Sequence, residues 1–192
     1  MGSKGPRPVT RRRATHDAAG GLLVALIALR RTTLLLAALL ALTPATVAHA
    51  DQEPAAMAGM LAAHNAARRE AGVPALQWAA SLTTSAQRWA DTLRASGCNM
   101  RHSGTRSLGE NLAWASGQSL SPAQVVAMWV GEKRNFDAAR NICAPGAVCG
   151  HYTQVVWRAT TQVGCARAMC GKSEVWVCQY TPPGNYVGQR PF

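Results

Sequence analysis

The fold of this chain is decided by two blocks of sequence, GHYTQVVW at residues 150–157 and CQYTPPGNY at residues 178–186. The first block opens a region that is rich in Val, Thr, Trp and Tyr, residue types that favour strands. We therefore predict three strands, over 152–158, 162–169 and 174–180. A loop pinned by two cysteines, 141–150, precedes them, and an extended tail, 182–192, follows them.

Helical spacing of apolar residues dominates the sequence before these strands. It predicts a helix over Met57–Arg69 and another over Ser81–Ala95, with Ser81 as the N-cap of the second. Ser121-Pro122, a cap followed by a first-turn proline, predicts a third helix that runs to about Phe136. Helices followed by strands indicate the α+β class.

The first 50 residues have the composition of a signal peptide. A basic segment, 1–31, is followed by an apolar run, Thr32–Leu42, and then by the small-residue site Ala48-His49-Ala50, which is the order found in secretory leaders. We therefore predict a secreted, extracellular protein with a leader over 1–50 and one domain over 51–192.

A second apolar run inside the leader gives one alternative interpretation. A single membrane helix over Gly20–Leu42 would contain both runs. It would also place Arg30 and Arg31 near the bilayer centre, at about 2.5–3.5 kcal/mol each. An extended basic n-region is therefore the preferred interpretation.

The positive charge of the chain is shared between the leader and the domain. The net charge of +11 divides into +6 and +5, because seven basic residues and one acid lie in the leader and thirteen basic residues and eight acids follow it. Mild, scattered positive charge favours contact with anionic membrane or cell-wall surfaces. No basic run is interleaved with aromatic residues, so we expect no nucleic-acid partner.

Cysteine usage agrees with secretion. All six cysteines follow the leader, and an even count in a secreted chain predicts three disulfides. A zinc cluster is the less favoured alternative because no CxxC pair occurs. The sequence alone allows fifteen pairings.

The two blocks resemble the signature segments of the CAP superfamily, which contains cysteine-rich secretory proteins, antigen 5 and pathogenesis-related protein 1. The resemblance is closest to the plant pathogenesis-related type and runs from about Met57 to Phe192. It implies a disulfide-stabilised three-layer α-β-α sandwich with a central antiparallel sheet. The disulfides that it implies are Cys98–Cys170, Cys143–Cys149 and Cys165–Cys178.

Four side chains are candidates for chemistry: His102, Glu110, Glu132 and His151. Two imidazoles and two carboxylates suit a zinc ion with an open position for water, or acid–base catalysis. A buried polar network is the structural alternative. In the resembling family the matching residues converge on a central cleft that holds a divalent metal in some members. The resemblance therefore implies a cleft with weakly bound zinc.

Other residues of the family pattern have structural interpretations. We expect Asn111 and Gln154 to satisfy backbone groups near the cleft, and His64 and Arg68 to anchor the first helix. Neither a G-x-S-x-G elbow nor an H-E-x-x-H motif occurs, and the resembling family has no generally accepted reaction. We therefore predict no catalytic residue and no enzymatic activity.

The predicted function is binding. The resemblance implies a secreted monomer that binds a sterol or another lipid, with an antimicrobial or defence-related role. One alternative is a secreted metal-dependent hydrolase that uses the four His and Glu side chains. Another is a precursor whose tail is released as a signalling peptide, although this tail ends in Pro191-Phe192 where the family pattern ends in Pro-Tyr.

Overall fold

Residues 52–192 are described by the computed structural model, and the leader predicted over 1–50 lies outside them. Two 3₁₀ turns, Ala55–Met57 and Gly131–Asn135, accompany four helices and six strands within this range. In chain order these are α1 Met60–Glu70, β1 Gln77–Trp78, α2 Ala80–Ala95, β2 Gly109–Ser116, α3 Pro122–Val130, β3 Phe136–Asp137, β4 Ile142–Cys143, α4 Gly150–Val155, β5 Gln162–Cys170 and β6 Ser173–Thr181.

The main sheet has the strand order β1-β5-β6-β2. The β5–β6 and β6–β2 pairs are antiparallel, whereas β1 pairs with β5 in parallel. The N–H groups of Gln77 and Ala79 donate to the carbonyls of Thr161 and Val163, at 2.9 Å each, and these bonds fix the parallel register. The predicted antiparallel pairing is therefore present in the three long strands, and the short parallel strand β1 at the edge makes the sheet mixed.

Helices cover both faces of this sheet, so the predicted α-β-α sandwich is confirmed. Successive strand residues point to opposite faces, and β6 shows this clearly. Trp176 and Tyr180 pack in a core with α1, α3 and α4, whereas Val175 and Val177 pack in a core with α2.

Helix α4 is the largest correction to the predicted secondary structure. The sequence predicts a strand over 152–158, but residues 150–155 are helical. Glu132 is the reason, because its Oε2 accepts hydrogen bonds from the N–H groups of His151 (3.0 Å) and Tyr152 (3.2 Å). A carboxylate that binds free N–H groups of a first turn stabilises the helix, and here this contact outweighs the strand propensity of the residues.

The other helices differ from prediction at their ends. Ser81 is not the N-cap of α2, since Ala79 takes that position directly from the β1 pairing. Helix α1 begins at Met60 because Gly59, at φ +92°, separates it from the preceding turn. Helix α3 begins with the predicted Ser121 cap, but it ends at Val130 and continues as a 3₁₀ turn. Strand β2 is not anticipated by the sequence at all.

The cysteines form three disulfides: Cys98–Cys170, Cys143–Cys149 and Cys165–Cys178. These are the pairings that the family resemblance implies. The first joins the end of α2 to β5 across 72 residues, and a loop of that length contributes about 4 kcal/mol in the chain-entropy model.

The tail after β6 is packed against the domain. The Pro191 carbonyl accepts from the Arg158 N–H at 2.7 Å, and the Gln189 carbonyl accepts from Asn141 Nδ2 at 3.0 Å. The ring of Phe192 lies edge-on to Phe136, with 6.3 Å between centroids. Separate contacts along 182–192 therefore hold it in place.

Candidate functional site

Two of the four candidate side chains form a pair at the start of β2. His102 Nδ1 donates to Glu110 Oε1 at 2.9 Å. The same oxygen accepts from the Ser103 N–H at 2.9 Å, and Oε2 accepts from Gln179 Nε2 at 3.1 Å. The Glu110 side chain is 7% exposed and that of His102 is 62% exposed. A fixed carboxylate thus holds an imidazole that solvent can reach; we call these two residues the outer pair.

Hydrogen bonding governs the protonation of the outer pair. The bond to Glu110 raises the pKa of His102, although burial opposes this change. Burial alone would raise the pKa of Glu110, but the bonds from His102, Ser103 and Gln179 together lower it. Glu110 is therefore ionised at neutral pH, and His102 keeps its proton to a higher pH than a free histidine does.

The other two candidates form a second pair at the start of α4. His151 Nδ1 donates to Glu132 Oε1 at 2.6 Å, and the His151 ring stacks on Trp129 with 6.3 Å between centroids. Glu132 also binds the first N–H groups of α4, as described above. Glu132 therefore has a structural role, because it fixes both the first turn of α4 and the ring of His151.

A buried chain of hydrogen bonds joins the second pair to α1. Asn111 Nδ2 donates to the His151 carbonyl (3.1 Å) and to the Tyr180 hydroxyl (3.2 Å). The Tyr180 hydroxyl lies 2.9 Å from His64 Nε2, and His64 Nδ1 lies 2.8 Å from the Met60 carbonyl. The inner network, as we name it, consists of His64, Asn111, Glu132, His151 and Tyr180.

His64 is neutral within this network. Burial lowers its pKa to about 4, and the Arg68 charge adds to that effect while the bond to the Met60 carbonyl opposes it. Neutral His64 can donate from Nδ1 and accept the Tyr180 proton at Nε2. Arg68 donates to four carbonyls at 2.6–3.0 Å, those of Pro74, Val155, Trp157 and Thr160. Both residues therefore anchor α1.

Gln154 occupies the end of the sheet beside the outer pair. Its Oε1 accepts from the Gly184 N–H at 3.0 Å, and its Nε2 donates to Thr160 Oγ1 at 3.2 Å. Side chains at Gly109 or Gly184 would collide with Gln154 or Trp157. The two glycines thus leave room for the amide that joins α4 to the tail.

Hydrogen bonding divides the four candidates into two pairs. Adjacent strand residues face opposite ways, so Glu110 and Asn111 serve different sides of β2. A cavity of about 250 Å³ is lined by His102 and Glu110, with Gln154 and Asn185, but not by Glu132 or His151. Within 52–192, no group of three or more His, Cys, Asp or Glu side chains is placed to hold a metal ion.

Two residues that position the candidates are missed by sequence reasoning. Gln179 orients Glu110, and Tyr180 connects His64 to Asn111. Both belong to the block CQYTPPGNY, so their place in a family signature segment could have identified them. Strand alternation then places Gln179 and Tyr180 on opposite faces.

Comparisons with known proteins agree with this architecture. The chain matches the model of the family described as "CAP: Cysteine-rich secretory protein family" over residues 61–180. It is 47% identical to a pathogenesis-related protein PR-1 type from Sambucus nigra, across 68% of this chain and 78% of that protein. It is 49% identical to pathogenesis-related protein 1C from Nicotiana tabacum, across 69% and 78% of the two chains.

Solved structures show the same fold at lower identity. Venom allergen-like protein 4 of Schistosoma mansoni is 23% identical, with a TM-score of 0.57, across 70% of this chain and 91% of that one. The structure described as NaASP2 with Zn²⁺ is 23% identical, with a TM-score of 0.59, across 73% and 90%. These likenesses concern the fold alone.

Proposed function

We propose that this chain, which belongs to the cysteine-rich secretory protein (CAP) family, is a secreted, defence-related monomer that captures a sterol or another lipid. The observation that carries the proposal is its 44–49% identity to plant proteins named pathogenesis-related. These alignments cover 67–76% of this chain. Lipid capture is our extension of that relationship, and it gives the protein a means of acting on a target membrane.

The hydrogen bonds of the candidate residues support binding rather than turnover. Both carboxylates accept three hydrogen bonds, and each imidazole donates its Nδ1 proton to a carboxylate. A hydrolase of the triad type needs a nucleophile bonded to the other ring nitrogen. Among residues 52–192, no hydroxyl or thiol donates to Nε2 of His102 or His151.

The cavity at the outer pair supports a ligand with a polar end. Its walls include His102, Ser103, Thr105 and Asn185, whose polar atoms can bind a hydroxyl group. Its volume of about 250 Å³ is below the usual 300–1,000 Å³ of small-molecule pockets. We therefore place only the polar end of a sterol in the cavity, with its apolar body along the surface.

A sterol-binding assay tests the proposal. Labelled sterol is titrated into the secreted protein with its disulfides intact, and excess unlabelled sterol is added as competitor. We expect saturable binding that the competitor displaces. Absence of saturable binding, with and without zinc, contradicts the proposal.

Glu110→Gln separates this function from a metal-dependent hydrolase. A hydrolase of that kind loses turnover in the variant and in the presence of a chelator. The binding protein instead keeps its full sterol affinity with the chelator, and it keeps saturable, at most several-fold weaker, sterol binding in the variant. Near-UV circular dichroism provides the control for folding. Turnover of an ester or peptide that both treatments abolish would favour the hydrolase.

Zinc enters the proposal only as a weakly bound ion. Nε2 of His102 and Nε2 of His151 are the atoms through which such an ion would be held, and no third ligand is placed beside them within 52–192. Zinc is titrated by calorimetry into the wild type and into the variant with both histidines changed to alanine. An unchanged heat in the variant would rule these residues out as ligands.

The alternative of a released peptide has its own test. The contacts of Asn185, Gln189 and Pro191 must all break before the tail can leave. We expect the secreted protein to retain 182–192, and intact-mass measurement of culture fluid checks this. Cleavage within 179–181 as the dominant species would favour the peptide precursor.

A further inference from the structure

An exposed apolar surface lies at the end of β2 away from the outer pair. All six tryptophans lie within 52–192, and Trp114 is the exposed one, at 48%. Met100 is 42% exposed and lines the same shallow cavity, of about 280 Å³, together with Cys98 and Cys170. We call Met100, Trp114 and this disulfide the platform. A large aromatic ring in solvent is unusual enough to indicate an interaction surface.

The platform is held rigidly. Trp114 is paired with Val175 in the antiparallel β2–β6 ladder, two positions before its last pair, Ser116 with Ser173. The Cys98–Cys170 disulfide ties the end of α2 to the end of β5 beneath it. Side chains on such a base cannot fold back into the core, so they are presented to a partner without a large loss of conformational entropy.

The charges around the platform are positive. Arg101 follows Met100, and its guanidinium lies 5.2 Å from the centre of the Trp89 ring. Lys172 is exposed in the β5–β6 turn, next to Ser173 of the cavity. The acids nearest in sequence are already paired: Asp91 with Arg94, Glu110 with His102 and Glu174 with Arg167.

We propose that the platform is a membrane-docking surface that lies against an anionic bilayer. Trp114 and Met100 would enter the interfacial layer, where an indole ring is favoured. Arg101 and Lys172 would meet the anionic headgroups, each contributing about 1 kcal/mol. Within 52–192 no helix is long and apolar enough to span a membrane.

The position of the platform connects docking to lipid capture. Glu110 and Trp114 share one face of β2, because strand residues alternate between faces. Trp114 is four positions after Glu110, which is about 13 Å along a strand. A protein docked through Trp114 would therefore hold the cavity of the outer pair beside the bilayer. The link to lipid capture rests on the proposed function, whereas docking to the bilayer does not require a sterol.

Vesicle co-sedimentation without sterol tests docking by itself. The secreted protein, with its N-terminus established by mass spectrometry, is mixed with vesicles of phosphatidylcholine alone or with phosphatidylserine. We expect binding that requires phosphatidylserine and weakens as salt is added. Trp114→Ser should lower the partition coefficient about tenfold, and Lys172→Gln about fivefold.

The chain offers a matched control for the tryptophan. Met169 is also 48% exposed, but it neighbours Cys170 in β5 and so faces the other side of the sheet. Met169→Ser should leave partitioning unchanged. Equal binding by Trp114→Ser and wild type, or an equal loss in Met169→Ser, overturns the proposal. So does a concentration-dependent dimer that Trp114→Ser abolishes, because a second copy would then cover the platform.

The sterol assay and the vesicle assay test two different proposals, and either proposal can be refuted without the other. Loss of saturable sterol binding with vesicle binding intact refutes the proposed function and leaves the docking surface standing. Loss of vesicle binding in the wild type refutes docking, whatever the sterol assay shows.

Discussion

The inner network and the outer pair each contain a bonded histidine and glutamate, but the inner network adds buried polar groups that the outer pair lacks. His64 is completely buried, and Asn111 and Tyr180 are at most 1% exposed, so each polar atom there must find a protein partner. His102, by contrast, is 62% exposed and lines a cavity. Burial thus assigns His64 to the fold and leaves His102 open to a ligand.

The largest expected effect concerns acidification of the inner network. Because the pKa of His64 is lowered to about 4, its contribution to stability is complete above pH 6.5 and is lost as the pH falls towards 4. The loss amounts to on the order of 3 kcal/mol. Urea unfolding, followed by tryptophan fluorescence across this range, measures it.

His64→Gln is the matched variant, since glutamine cannot take up a proton there. We expect the variant to be less stable at neutral pH but to lose less stability on acidification. Parallel pH profiles for the variant and the wild type would show that His64 does not titrate within the folded protein.

The next largest effect is the loss of stability expected when Glu132, which caps α4, is removed. Glu132→Ala removes the acceptor for two N–H groups of α4 and the partner of His151. We expect a loss of about 2–3 kcal/mol in the free energy of unfolding. Glu70→Ala is the control, because its exposed bond to Lys133 at 3.4 Å contributes less than about 0.5 kcal/mol. Similar losses in both variants would refute the capping role of Glu132.

The smallest effect on stability is expected in the outer pair, and its pH dependence has the opposite sign to that of His64. The pKa of His102 is raised, so its contribution is complete below pH 6.5 and declines as the pH rises through the raised value. Solvent screening limits this contribution to less than about 1 kcal/mol. His102→Ala should therefore flatten the decline in stability above pH 6.5, and a steeper decline would contradict the assignment.

The sequence predicts the fold through its two blocks, and its errors have physical causes. Ser121 marks the start of α3 correctly, because Gln124 completes a local capping box. Residues 152–155 are wrongly predicted as part of a strand because the cap of their helix, Glu132, is distant in sequence. Local propensity contains no information about such a contact.

The candidate site is predictable in composition but not in arrangement. The resemblance identifies His102, Glu110, Glu132 and His151, and the structure joins them as two pairs. Strand β2 carries Glu110 of one pair and Asn111, which binds the His151 carbonyl of the other, and this strand is missing from the predicted elements. The zinc ion implied by one shared cleft therefore stays a prediction.

Sterol binding by two histidine variants tests whether the outer pair, rather than the inner network, binds the ligand. His102→Ala and His151→Ala remove imidazoles from the outer pair and the inner network respectively, and affinity is compared per folded molecule. If the outer pair binds the sterol, we expect a several-fold loss of sterol affinity in His102→Ala and wild-type affinity in His151→Ala. Equal affinities in the two variants, or a loss confined to His151→Ala, would contradict it.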